Sequence, residues 1–473
     1  MVFSSTLFLV YFFPLFLLLY FITPARFKNY TALLASMFFY AWGAPKFIFV
    51  ILGVLVVDFY LGNKIYEAQQ PRKKIYLLLS VLLNVGMLMY FKYANFFVDN
   101  LNFVLTHVGI NSVGWTRIAL PIGISFFTFQ EMSYTIDIYR GEHKPLKKFT
   151  DYMLFIFLFS HLIAGPIVTY HVLADDIVDR RKKLNGDYRL LGLFRFTIGL
   201  ARKVLIANTL GEVADGIFNQ QVQNLTAGDC WLGAIAYTFQ LYYDFAGYSD
   251  MAIGIGKILG FDFPENFNNP YVSQNITEFW KRWHITLGQW MKSYLYIPLG
   301  GNRVSESRAY MNLVAVFLIS GFWHGASWTF VVWGAYHGLF MICDRLFLDK
   351  LLKPVGRLSR TFITFFIAVF GWVLFRCDTL AQAGHFILKM VRLRSLQLHY
   401  EPSERFYAML ALAVLFAFAA LIRPVENLQV RLYSTKHSPV VAIGMFLLVV
   451  SLYTLCLSQI TATRFNPFIY FRF

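Results

Sequence analysis

The sequence predicts an all-α, polytopic integral membrane protein, and two observations carry that expectation. Of its 473 residues 58% are hydrophobic and 19% aromatic, while only 14% are charged, against about 25% charged in soluble chains. Apolar runs approaching the roughly 20 residues that span a bilayer recur along the whole chain, separated by short polar joints. Inside a bilayer such runs must satisfy their own backbone hydrogen bonds, which they do as helices.

Taken in order, the runs lie at 6–22, 31–42, 47–61, 75–91, 118–136 and 152–170, then at 190–207, 230–247, 310–323, 329–342, 362–374, 406–422 and 440–457. This amounts to about 10–13 membrane helices. Several are too short to cross a core of ~30 Å alone and read as re-entrant or interfacial. The first run follows Met-Val-Phe-Ser-Ser, which lacks a basic region, and is long enough to span; it is expected to be retained rather than cleaved. With no internal repeat and no linker, residues 1–473 read as one integral membrane domain.

The 42 Lys and Arg outnumber the 26 Asp and Glu, a net charge of +16. In a soluble protein that excess would suggest nucleic acid. No compact basic face with interleaved aromatics lies outside the apolar runs, so the lipid bilayer is the expected partner and nucleic acid is not. A cytoplasmic anionic substrate would use the same charge. Arg26 and Lys28, then Lys64, Arg72, Lys73 and Lys74, mark two cytoplasmic loops and leave the N-terminus outside. The run from Arg180 to Lys183 obeys the same rule only if one segment fails to cross. The expected culprit is 152–170, which contains His161 and Gly165-Pro166.

Cys230, Cys343, Cys377 and Cys456 stand singly, which excludes a disulfide framework, and no metal-ligand spacing appears. The chemistry concentrates at 237–340. Asp244 and Asp250 are two acids in an apolar region, read either as helix-end acids near water or as functional groups. The turn-rich stretch Glu265 to Tyr271 leads into 278–290, where Glu278 and Arg282 are i,i+4 neighbours and Trp280, Trp283 and Trp290 suit the headgroup level. This reads as one amphipathic interfacial helix, capped by Thr277, with His284 either an interfacial or a functional histidine. His324 ends an apolar run between Gly321 and Gly325. Its near-neutral imidazole suits a general base for a hydroxyl, the bland alternative being a hydrogen bond between helices. His337 reads as packing or support for His324.

Two patterns are dismissed. The glycines at 254, 256 and 260 lack a preceding strand and have the wrong last gap for a dinucleotide loop, so they read as helix packing. His171 and Asp176 match an acyltransferase spacing too short to outweigh chance. No metalloprotease, Walker or nucleophile-elbow motif is present.

Together, Tyr90 to Phe96, Leu120 to Phe126, His161 to Pro166, Tyr243 to Ala252, Glu278 to Trp290, Trp323-His324-Gly325 and the ending Asn466 to Tyr470 make a long signature. On these residues the chain resembles the membrane-bound O-acyltransferase (MBOAT) family, close to its alginate O-acetyltransferase branch. The resemblance implies the MBOAT fold around a central funnel, with the catalytic histidine at His324 and a second at His284. It also implies acetyl-CoA as acyl donor with no permanently bound cofactor, a bacterial cytoplasmic (inner) membrane location, and a periplasmic or membrane-anchored acetyltransferase partner that esterifies a polysaccharide. Substrate contacts fall on Asp244, Asp250, Asn269, Trp323, Lys281 and Arg282, and the basic loops would meet the coenzyme's phosphates. In this scheme His324 removes the acceptor's proton and His284 orients or polarises a reactant. Peptidoglycan O-acetylation and D-alanyl transfer to teichoic acid are alternatives within the class. A polytopic transporter is the rival class, though it should show related halves and a coupling-ion site.

Overall fold

The computed structural model describes residues 1–463, which form helices with no strand among them. The ending Asn466 to Tyr470 lies outside the described residues. The chain divides into two compact units. One comprises Leu7–Lys183 with Gly260–Phe263; the other comprises Val2–Thr6, Leu184–Leu259 and the described residues from Pro264 onward.

The first unit holds α1 (Leu7–Ile22), α2 (Lys28–Gly43), α3 (Phe47–Glu67), α4 (Arg72–His107), α5 (Ile124–Arg140), α6 (Phe149–Phe157) and α7 (Tyr170–Val178). The run expected at 118–136 becomes helical only at Ile124, because Pro121 and the left-handed Gly123 (φ 80°) precede it. The stretch at 152–170 breaks earlier than its Gly165-Pro166 pair: α6 ends at Phe157, one turn follows at Phe159–Leu162, and Gly165 takes φ 112° on the way to α7.

Buried polar groups join these helices. Asp58 of α3 accepts hydrogen bonds from Ser80 Oγ (2.7 Å) and Asn84 Nδ2 (2.5 Å) of α4. Ser80 also meets Thr135 of α5 at 3.0 Å. His171 pairs with Asp137 at 3.1 Å and Asp176 with Lys183 at 2.6 Å, so the spacing of His171 and Asp176 does not make them a catalytic pair.

The second unit holds α8 (Gly186–Ala201), α9 (Asn208–Phe218), α10 (Ala227–Leu259), α11 (Ile276–Arg282), α12 (Ile285–Met291), α13 (Glu306–His324), α14 (Trp328–Cys343), α15 (Gly356–Arg376), α16 (Leu380–Arg392), α17 (Glu404–Phe418), α18 (Arg423–Leu432) and α19 (Pro439–Ala462). Five helical stretches among the described residues are long and apolar enough to cross a membrane: α3, α4, Trp328–Arg376, Glu404–Leu421 and α19. The chain is a multi-pass membrane protein. Its other expected segments are shorter or more polar helices.

At 33 residues α10 extends well past the run expected at 230–247, and nearly all of it is buried. Glycines let it lie against α8. A Cβ on Gly199 would fall 2.4 Å from the Gly247 carbonyl oxygen, and one on Gly254 would fall 2.6 Å from that of Gly192. Gly254 therefore serves helix packing, as its sequence context suggested. Gly199→Ala should lower the thermal stability of the detergent-solubilised protein through overpacking of about 1–3 kcal/mol. A melting temperature equal to wild type would show that the two helices can separate without loss.

Candidate active site

The expected amphipathic helix at 278–290 is two short helices, α11 and α12, broken at His284, which takes left-handed angles (φ 45°, ψ 51°). A non-glycine residue pays roughly 1–2 kcal/mol for that conformation, and neighbouring backbone holds it there. Asn268 N–H donates to the Arg282 carbonyl and Ile285 N–H to the Asn266 carbonyl, both at 2.9 Å, so 266–268 runs beside 282–285. The cap of α11 is Asn275, not Thr277. Asn275 Oδ1 accepts the Glu278 N–H at 2.7 Å, while Thr277 lies inside the first turn and donates its N–H to Asp344 at 2.8 Å.

The break also turns the tryptophans inward. Trp283 is 3% and Trp290 5% exposed, and Trp283 packs among Tyr242, Phe267, Phe279 and Trp372 rather than at a headgroup level. Glu278 and Arg282 do pair at 2.9 Å, as their spacing indicates, and Arg282 also donates to the Asn268 carbonyl.

His284 is buried, and its Nδ1 lies 3.1 Å from Asn266 Oδ1. The orientation of Asn266 follows from the Thr286 backbone N–H, which can only donate and lies 3.4 Å from Oδ1; that oxygen also accepts the Thr286 hydroxyl at 2.8 Å, and the amide donates to Ser249 Oγ at 3.0 Å. His284 Nδ1 must therefore carry hydrogen, which makes Nε2 the basic nitrogen. Burial, reinforced by neighbouring His324, holds His284 well below the ordinary imidazole range, so it is neutral at pH 7.

His324 ends α13. Its Nδ1 lies 2.7 Å from the Ser320 carbonyl oxygen, which can only accept, so Nε2 is again the basic atom. The two imidazole centroids are 6.2 Å apart. Trp323 (5.0 Å), Trp333 (4.9 Å) and Phe375 (5.5 Å) wall the His324 ring. Close approach of α13 to α14 depends on Gly321 and Gly334, where an added Cβ would meet backbone at 2.3 Å. His337 sits wholly buried among Trp280, Trp333 and Tyr336, with neither ring nitrogen hydrogen-bonded among the described residues, as a packing residue would be.

A cavity of about 560 Å³ opens beside His284, with Trp280, Lys281, Lys292, Ser320 and Arg345 among its walls and Leu287, Met291 and Phe317 as apolar lining. Lys281, Lys292 and Arg345 are exposed and make no ion pair among the described residues. Of the six residues expected to meet substrate, Lys281 lines this cavity. Trp323 stands behind it, with its ring 6.2 Å from His284.

The others are held in partnerships. Asp244 pairs with Lys203 at 2.6 Å, both buried. Asp250 pairs with Arg195 at 2.9 Å and with Arg202, and Arg195 also binds Glu265. The acids thus lie in mid-helix within α10 rather than at a helix end, where removing one partner would strand a buried charge at about 3–5 kcal/mol. Asn269, left-handed at φ 46°, donates to Gln429 of α18 at 3.2 Å. Sequence reading missed Asn266, which looked like one more turn former, and Lys292 and Arg345, which stand as isolated cations until the fold brings them together.

A family model for membrane-bound O-acyltransferases matches residues 139–380, and the chain belongs to that family. It is 40% identical to the probable alginate O-acetylase of Pseudomonas putida over the full length of both chains. It is 46% identical to the probable alginate O-acetylase of Pseudomonas aeruginosa over 81% of this chain and 73% of that one. The peptidoglycan O-acetyltransferase of Helicobacter pylori is 38% identical over 85% of this chain and 82% of its own. The protein is an acyltransferase, of a kind whose relatives transfer O-acetyl groups.

Leaving a buried imidazole N–H without its acceptor costs about 1–3 kcal/mol. Asn266→Ala should therefore lower acyl transfer per molecule of membrane-embedded enzyme by roughly tenfold or more, whereas Asn266→Asp keeps an acceptor and retains more activity. Equal activity in the two variants would remove Asn266 from the site.

Proposed function

We propose that this protein moves acetyl from cytoplasmic acetyl-CoA across the bacterial inner membrane for O-acetylation of an extracellular polysaccharide resembling alginate, working with a periplasmic or membrane-anchored acetyltransferase. The observation that carries this reading is a pair of neighbouring imidazoles with fixed Nδ1 donors, one of which, His284, lines a cavity edged by Lys281, Lys292 and Arg345. The three cations suit the diphosphate and phosphate groups of coenzyme A, and the apolar wall beyond them suits its pantetheine arm. His324 serves as the general base that takes the acceptor hydroxyl's proton. The imidazolium so formed lies at the C-terminus of α13, where helix carbonyls favour positive charge. The similarity to alginate O-acetylases supports the polymer assignment, and the similarity to a peptidoglycan O-acetyltransferase supports cell-wall peptidoglycan as the second reading.

Base-released acetate, measured separately on secreted polysaccharide and on peptidoglycan, tests the reading. His324→Ala at wild-type membrane abundance should lower acetate on one polymer by about 10²–10⁴, and the polymer affected identifies the acceptor. Unchanged acetate on both would remove His324 as the base. Replacing Lys281, Lys292 and Arg345 together with Ala should raise the KM for acetyl-CoA on the order of tenfold, each exposed charge contributing about 0.2–1 kcal/mol, with kcat little changed. An unaltered KM would place the coenzyme elsewhere.

A further inference from the structure

The two histidines face different surroundings. His284 lines the cavity with Lys281 and Ser320, whereas His324 is absent from those walls and stands within Trp323, Trp333 and Phe375. A thioester drawn into the cavity therefore meets the His284 imidazole before it meets His324. The hydrogen bond from Nδ1–H to Asn266 leaves the His284 lone pair on Nε2, and the carboxamide, anchored by Ser249 and Thr286, prevents the ring from turning over. A neutral imidazole with a fixed basic nitrogen is a nucleophile as well as a base.

We propose, resting on the acetyl-CoA reading above, that His284 is a covalent acetyl carrier: it takes the acetyl group from the donor in the cavity and presents it to an acceptor hydroxyl activated by His324. In the first step His284 Nε2 attacks the thioester carbonyl carbon, an N–C bond forms, the C–S bond breaks, and coenzyme A leaves as a thiolate. In the second, His324 Nε2 takes the acceptor's hydroxyl proton as that oxygen attacks the acetyl carbon. The C–N bond breaks, and its electron pair returns to His284. The proton on His324 passes to solvent, where it balances the thiolate. No oxidant, reductant or metal enters either step.

The spacing of the rings accommodates this sequence. A base acts within about 2.6–3.2 Å of the oxygen it deprotonates, and attack begins with reacting atoms about 3–3.5 Å apart. With the imidazole centroids 6.2 Å apart, an acceptor hydroxyl between the rings lies within reach of both. The arrangement divides the work by side: His284 at the donor cavity, His324 among the aromatic rings behind it.

The test is exchange of isotopically labelled coenzyme A into acetyl-CoA by the full-length protein in lipid nanodiscs, with no acceptor present. A covalent carrier catalyses this exchange, because its first half-reaction is reversible and needs no second substrate. Wild type should exchange label. His324→Ala should keep exchange within about threefold of wild type while acetyl delivery to polymer in cells falls by about 10²–10⁴. His284→Ala should lose exchange at least about a hundredfold. The wild-type arm keeps the proposal falsifiable even if His284→Ala fails to fold. Absence of exchange by a wild type that still delivers acetyl to polymer overturns the carrier and leaves the functional reading standing. Exchange lost equally in both variants, or undiminished in His284→Ala, also overturns it. A wild type that neither exchanges label nor delivers acetyl to any polymer overturns the functional reading itself.

Discussion

The hydrogen bond between Asn266 and His284 is the interaction on which the site's geometry depends. It couples three things: the left-handed turn that separates α11 from α12, the position of the imidazole, and the choice of nitrogen that carries hydrogen. A buried imidazole without such a partner would lose an N–H bond worth about 1–3 kcal/mol and would be free to invert. The same carboxamide reaches Ser249 of α10 and Thr286 of α12, so the long helix α10 and the broken pair α11 and α12 are registered through one side chain.

Around that point, the second unit is organised by answering charge with charge. Asp244 with Lys203, and Asp250 with Arg195 and Arg202, lie in a largely buried helix contact where the glycines bring α8 and α10 together. Close backbone packing and paired charges reinforce each other, because excluding water strengthens attraction between ions and penalises any ion left alone. The acids that looked like substrate ligands thus have a structural account. Lys281, Lys292 and Arg345, which make no ion pair among the described residues, instead edge the cavity beside His284.

His324 is built differently. Its nitrogen is fixed by a carbonyl of its own helix, one turn back, so its tautomer is a local property of α13. Its surroundings come from elsewhere: Trp333 of α14 and Phe375 of α15 close over it, and Gly321 and Gly334 let α13 and α14 approach. One histidine thus takes its orientation from a distant carboxamide and the other from its own turn, although both present Nε2 as the basic atom.

Membrane class, helical architecture and family were legible from the chain itself, because apolar run length and a dense motif are local properties that survive without neighbours. The pairing of Glu278 with Arg282 was legible for the same reason, being one helical turn apart. Tertiary structure alone decided that 278–290 breaks at His284, that Trp283 and Trp290 face inward, that Asp244 and Asp250 are neutralised by α8 and the turn after it, and that Lys281, Lys292 and Arg345 share one cavity. Each of these rests on groups far apart in sequence, and a side chain's role as ligand, ion-pair partner or packing surface depends on what the fold puts beside it.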